Sequence, residues 1–170
     1  MGTAKTKKQM DLKITIEDVA QDDIKAIQKL FSETIHTSCK KDYSKEQIEA
    51  WASSKNDDPK WLDKVLNQYF LIARNDIELL GFGSLENNDH LDLLYVHKDY
   101  QGKGIAGKLL QVLEKKAEIN RAEKISTYAS KTARAFFEKN GYKVIKEQKV
   151  TINETDLVNY KMVKKLGFLP

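Results

Sequence analysis

The chain of 170 residues has one cysteine, Cys39, and two prolines. A lone thiol can form neither an internal disulfide nor a thiolate metal cluster, which points to a reducing, cytoplasmic setting and to no metal. No apolar run approaches the about 20 residues that cross a bilayer. The opening "MGTAKTKKQM" carries lysines but no apolar stretch behind them, so it does not read as a secretory leader. Gly2 with Thr6 matches a myristoylation pattern only loosely, and chance accounts for it. Residues 1–10 read as a flexible tail and residues 11–170 as one domain. Charge of one sign is also scarce. The net +4 comes partly from Lys5, Lys7 and Lys8, and no dense basic face interleaved with aromatics appears. Neither nucleic acid nor membrane is therefore an expected partner.

The 41% hydrophobic and 32% charged residues suit an ordinary globular core. "LKITI" (residues 12–16) alternates as a first strand. A helix follows, capped by Asp22 or Asp23, with Ile24, Ile27, Phe31 and Ile35 on one stripe. Ser44 opens a second helix with a capping box. Asp58 reads as the cap of a third, with Pro59 at its first turn. Three strands come next, "YFLIAR", "IELLGFGSLE" and "HLDLLYV", separated by turns at Asn75-Asp76 and Asn87 to Asp89. A helix with Ile105, Leu109, Val112 and Leu113 on its apolar side follows. Then come the strand "KISTYA", a short helix ended by Gly141, and a hairpin around Asn153 to Thr155. This order predicts an α/β fold: a mixed, mostly antiparallel twisted sheet of six to seven strands with helices on both faces.

Gly102, Gly104 and Gly107 in "DYQGKGIAGKLL" spell G-x-G-x-x-G. A dinucleotide site would need a βαβ unit and an acidic residue at the end of the next strand. The run instead follows a meander, and Glu123 stands before the next strand, so that reading fails. A tight turn with no ligand is one remaining reading. The other is a phosphate cradle, in which amides at a helix start meet an anion with the dipole's positive end, and Lys103 and Lys108 add charge.

"LLYVHKDYQGKGIAGKLL" resembles the core motif of the GCN5-related N-acetyltransferases, Q/R-x-x-G-x-G/A falling on Gln101, Gly102, Lys103, Gly104, Ile105 and Ala106. "TARAFFEKNGYKV" resembles the family's second signature. The pattern is closest to a bacterial subgroup of undefined substrate. The resemblance implies acetyl-coenzyme A as co-substrate, its diphosphate on the amides of Gly102 to Gly107 and its pantetheine arm paired with Leu94, Tyr95 and Val96. It places Lys108, Ser130 and Phe137 beside the cofactor. Where relatives carry a tyrosine acid, this chain has Phe137, which donates no proton. Where some carry an asparagine, it has Ser130.

Acetyl transfer to an amine needs a base, a polarised carbonyl and a proton for the leaving thiolate. His90 and Asp92 lie two apart on one strand, about 7 Å apart on one side, and an imidazole is the side chain suited to proton transfer at neutral pH. They are the candidate catalytic pair, against the alternative of a surface histidine and a loop-fixing aspartate. Tyr128 is the candidate acid in place of Phe137, against a tyrosine chosen for strand propensity. The resemblance places the acceptor wall on the early helices, with His36, Tyr43 and Trp51 as its candidates, although Trp51 also suits a core anchor. The expected function is transfer of an acetyl group from acetyl-coenzyme A to a primary amine of a small molecule or peptide, by a monomer or homodimer. The alternative is a non-catalytic acyl-coenzyme A sensor.

Overall fold

The computed structural model describes residues 13–167, so the tail of residues 1–10 lies outside the described residues. The first strand, β1, spans Thr15–Asp18, later than residues 12–16. It pairs with β2 from Thr15 to Asp18, the stretch that β2 spans opposite it. Helix α1 (Ile24–Ser38) buries Ile27, Phe31 and Ile35 on the stripe that the spacing predicts. Helix α2 (Lys45–Ala52) starts from the capping box of Ser44 and Gln47. In α3 (Asp58–Asn67) the cap is Asp57, whose carboxylate accepts from the Lys60 amide. Asp58 instead turns outward to Lys25 and Gln28. Either aspartate carries the right side chain, and the local backbone decided between them.

The meander follows as β2 (Tyr69–Arg74), β3 (Leu79–Glu86) and β4 (His90–Val96). Helix α4 (Ile105–Ile119), β5 (Lys124–Ser130) and α5 (Arg134–Lys139) lead to the hairpin β6 (Lys143–Ile152) and β7 (Thr155–Lys165). The sheet has seven strands in the order β1-β2-β3-β4-β5-β7-β6, parallel only between β4 and β5. Because β7 lies between β5 and β6, only β6 of the final hairpin is an edge, not both strands. The hairpin turn puts Asn153 and Glu154 at positive φ, as its tightness requires.

Two hydrophobic cores cover the two faces of the sheet. Helices α4 and α5 pack on one, with Leu109, Leu113 and Phe137 buried. Helices α1 to α3 pack on the other, with Ile27, Phe31, Trp61 and Phe82 buried. Gly83 permits the first contact, since a Cβ there would lie 2.8 Å from Leu113 Cδ1. Val112 departs from the predicted apolar side: it is 36% exposed, one position beyond the arc that reaches the sheet. No helix among the described residues is long and apolar enough to cross a membrane.

Candidate active site

Strand β4 contains one residue more than its neighbour can match. The β3 register jumps from Leu85 opposite Leu91 to Ser84 opposite Leu93, leaving Asp92 in a bulge. The bulge breaks the period of two: Leu91 packs in the α4 core and Leu93 in the α1 core. It also marks where the sheet opens. β4 and β5 pair only at His90 with Ser126 and Leu91 with Thr127. Beyond that point the strands diverge, and a cavity of about 510 Å³ opens between them. His97 donates its amide to Leu80 of β3, so by alternation Tyr95 also faces β3 through its main chain. The main-chain groups of Leu94 and Val96 then face the gap. The Val96 carbonyl is already used, accepting from Thr34 Oγ1 at 3.0 Å and Gln101 Nε2 at 3.3 Å.

The glycine turn closes one end of this gap. Gly102 and Gly104 have φ of +73° and +80°, left-handed values that a side chain resists. Gly107 has an ordinary φ, and a Cβ added there meets nothing within 4 Å. The fold itself therefore does not require glycine at Gly107. The main-chain NH groups of Gly102 to Gly107 have no acceptor among the described residues, the first helical bond being Lys108 NH to the Gly104 carbonyl. Gly102, Gly104, Ile105, Ala106 and Gly107 line the cavity. Lys103 and Lys108 are exposed and do not line it.

At the other end sits a polar cluster. Ligating atoms of Glu86, His90 and Asp92 lie within 4.8 Å of one another. His90 Nδ1 is hydrogen-bonded to Ser126 Oγ at 2.9 Å, and its ring lies 4.7 Å from that of Tyr128. Asp92 Oδ2 accepts from Lys64 Nζ, forming an ion pair, and from Gln68 Nε2 at 2.9 Å. Asp92 and Tyr128 line the cavity, while His90 lies behind them. Burial raises the Tyr95 phenol far above its ordinary pKa, and the nearby Asp92 charge adds to the rise while the Trp51 indole opposes it.

Free amides at the start of α4 thus open onto the diverging ends of the parallel strands β4 and β5. Residues 39–164 match the family model described as acetyltransferase (GNAT) domain. The chain belongs to the GNAT family of N-acetyltransferases. A curated relative, the uncharacterized N-acetyltransferase YafP of Escherichia coli (strain K12), is 28% identical over 149 residues, 88% of this chain and 94% of the relative. The crystal structure of a GCN5-related N-acetyltransferase from Rhodopseudomonas palustris aligns with a TM-score of 0.87 at 36% identity, covering 89% of this chain and 95% of that one. The PaiA N-acetyltransferase of Thermoplasma acidophilum, crystallised in complex with coenzyme A, aligns with a TM-score of 0.75 at 26% identity, over 91% and 99% of the two chains. GNAT enzymes take acetyl-coenzyme A as co-substrate.

Within this GNAT domain the remaining sequence candidates divide. Phe137 is buried at 4% exposure and stacks edge-on with Tyr142, so that corner of the cavity has an aromatic wall without a hydroxyl. Ser130 lines the cavity, and its oxygen accepts from the Ala133 amide at 3.1 Å, fixing the entry to α5. Of the acceptor candidates only Trp51 reaches the cavity. His36 is turned away and links α1 to α2, its Nδ1 donating to the Ser32 carbonyl and its Nε2 lying 3.1 Å from Glu49. Tyr43 is buried in the core. Its hydroxyl donates to the Val158 carbonyl at 2.7 Å and accepts from the Lys131 amide at 2.9 Å, tying the early helices to the far strands. Sequence reading missed Lys64 and Gln68, whose link to Asp92 spans 28 and 24 positions. It also missed Cys39, which lines the cavity with its thiol pushed up by burial.

Proposed function

We propose that the chain transfers an acetyl group from acetyl-coenzyme A directly to the primary amine of a small molecule or peptide. The co-substrate supplies an activated acetyl thioester. The observation that carries the reading is a coincidence of place: the unpaired amides of Gly102 to Gly107 and the unpaired edge of β4 open onto one cavity. In this reading the amides, with the positive end of the α4 dipole, hold the diphosphate, and Lys103 and Lys108 add charge nearby. The space beside Gly107 accepts it without a clash. The free main-chain groups of Leu94 and the Val96 NH pair with the pantetheine arm as an added strand does.

The polar cluster supplies the proton chemistry. The free Asp92 Oδ1 accepts an N–H of the amine, since Oδ2 is held by Lys64 and Gln68. His90 receives the ammonium proton through Asp92 or a bridging water, held in place by Ser126. The C–N bond then forms as the C–S bond breaks; the acylated nitrogen gives its excess proton to Asp92, while Tyr128 protonates the sulfur in place of the hydroxyl that Phe137 lacks and regains a proton from Asp92 through water. Calorimetry and thiol release on the full chain test the reading. Heat on adding acetyl-coenzyme A and amine-dependent thiol release are expected. An absence of heat at millimolar concentration removes the cofactor assignment. Binding without thiol release on any amine removes the transfer step and favours the non-catalytic sensor.

A further inference from the structure

We infer that the acceptor is a small primary monoamine on an apolar body of aromatic size, carrying neither a second cation nor a carboxylate. This rests on the N-acetyltransferase reading above and narrows it. Among the cavity-lining side chains, Asp92 is the only one that carries a full charge at neutral pH. It is not isolated: Glu86 lies within the same 4.8 Å cluster and Lys64 is paired with it. Two carboxylates and one ammonium leave a formal net charge of about −1 before the histidine is counted. That balance accommodates one ammonium group. A second or third cation, as in a polyamine or an aminoglycoside, finds no further carboxylate in the wall and loses its hydration without compensation.

The same lining contains no lysine or arginine, so an acceptor carboxylate would also be buried unpaired. Around Asp92 the wall is instead aromatic. Trp51, Tyr95 and Tyr128 line the cavity together with Asp92; Tyr95 shares its strand, and the Tyr128 ring lies 4.7 Å from that of His90 in the same polar cluster. Ring faces beside a single carboxylate suit an ammonium head with an apolar body behind it. Size points the same way, because a cavity of about 510 Å³ must hold the thioester arm as well as the acceptor.

The experiment is steady-state thiol release at saturating acetyl-coenzyme A with matched amines: phenethylamine, tyramine, tyrosine, putrescine and spermidine. Phenethylamine and tyramine are expected to exceed the other three in kcat/KM by roughly 100-fold, the scale of discrimination that an unpaired buried charge imposes. Trp51→Leu is expected to raise the phenethylamine KM about tenfold while the KM for acetyl-coenzyme A stays unchanged. Turnover of spermidine or tyrosine at least as fast as phenethylamine overturns the acceptor class and leaves N-acetyl transfer standing. An unchanged phenethylamine KM in Trp51→Leu overturns it equally. Thiol release with none of these or any other amine is a different result, and it overturns the transfer reading itself.

Discussion

His90 does not line the cavity, whereas its neighbours Asp92 and Tyr128 do. Its ring stands against Tyr128, its Nδ1 is held by Ser126, and Asp92 connects it to the gap. Under the proposed transfer, removing the imidazole takes away the proton acceptor and leaves the glycine turn at the start of α4 untouched. His90→Gln is expected to bind acetyl-coenzyme A with unchanged heat while amine-dependent thiol release falls about 100-fold, the lower end of general-base effects. A variant that keeps the wild-type rate of thiol release would assign His90 to structure alone. Asp92 differs, because its pairing with Lys64 couples it to α3, so replacing it disturbs a helix as well as the chemistry.

At the scale of the element, the entrance to α4 separates ligand from fold. Gly102 and Gly104 answer to backbone strain, whereas Gly107 answers to empty space. Leucine favours a helix over glycine by up to about 1 kcal/mol. Gly107→Leu is therefore expected to keep or raise the thermal midpoint and to weaken acetyl-coenzyme A binding at least tenfold by filling the cradle. Calorimetry and a thermal melt on the same sample check both halves. Unchanged affinity would show that the space beside Gly107 is not the diphosphate seat. The bulge at Asp92 acts on β4 in a comparable way: one unpaired residue turns the strand's carboxylate to the gap and ends its pairing with β5.

Across the whole molecule, the sheet is clamped between two cores and its far end is tied by buried phenols. Tyr142 donates to Glu114 Oε1 at 3.0 Å, beside the ion pair of Glu114 with Lys164. Burial first, and then the Glu114 charge, raise the Tyr142 pKa far above its ordinary value. Burial also raises Tyr43 and Tyr95. The folded state thus holds these protons more tightly than the unfolded chain. The stability they contribute is full below the ordinary phenol pKa of about 10 and is lost as pH rises above it. Urea midpoints are expected to stay level up to about pH 8, to begin falling near the ordinary thiol pKa because Cys39 is buried as a thiol, and to fall further above about pH 10. Tyr142→Phe, which leaves Glu114 paired with Lys164, should flatten that fall. An unchanged slope would exclude Tyr142 as its source.

Much of this arrangement is local and therefore readable from the chain. The helix stripe of Ile27, Phe31 and Ile35, the Ser44 capping box, the turns at Asn75 and Asn87 and the glycine motif each depend on neighbours within a few residues. Together with the family likeness, they give the element order, a mostly antiparallel sheet of six to seven strands and the glycine turn at the start of α4. The site's polar half is different. Lys64, Gln68 and Glu86 meet Asp92 only after α3, β3 and β4 pack side by side, and spacing along the chain carries no trace of that contact. Likewise His36 and Trp51 sit on neighbouring helices with similar sequence signals, yet packing turns one toward Glu49 and the other into the cavity. Period and capping decide what each segment becomes. Which side chains share a charge or a wall is decided by contacts between segments, because electrostatic and packing energies depend on distance in space rather than along the chain.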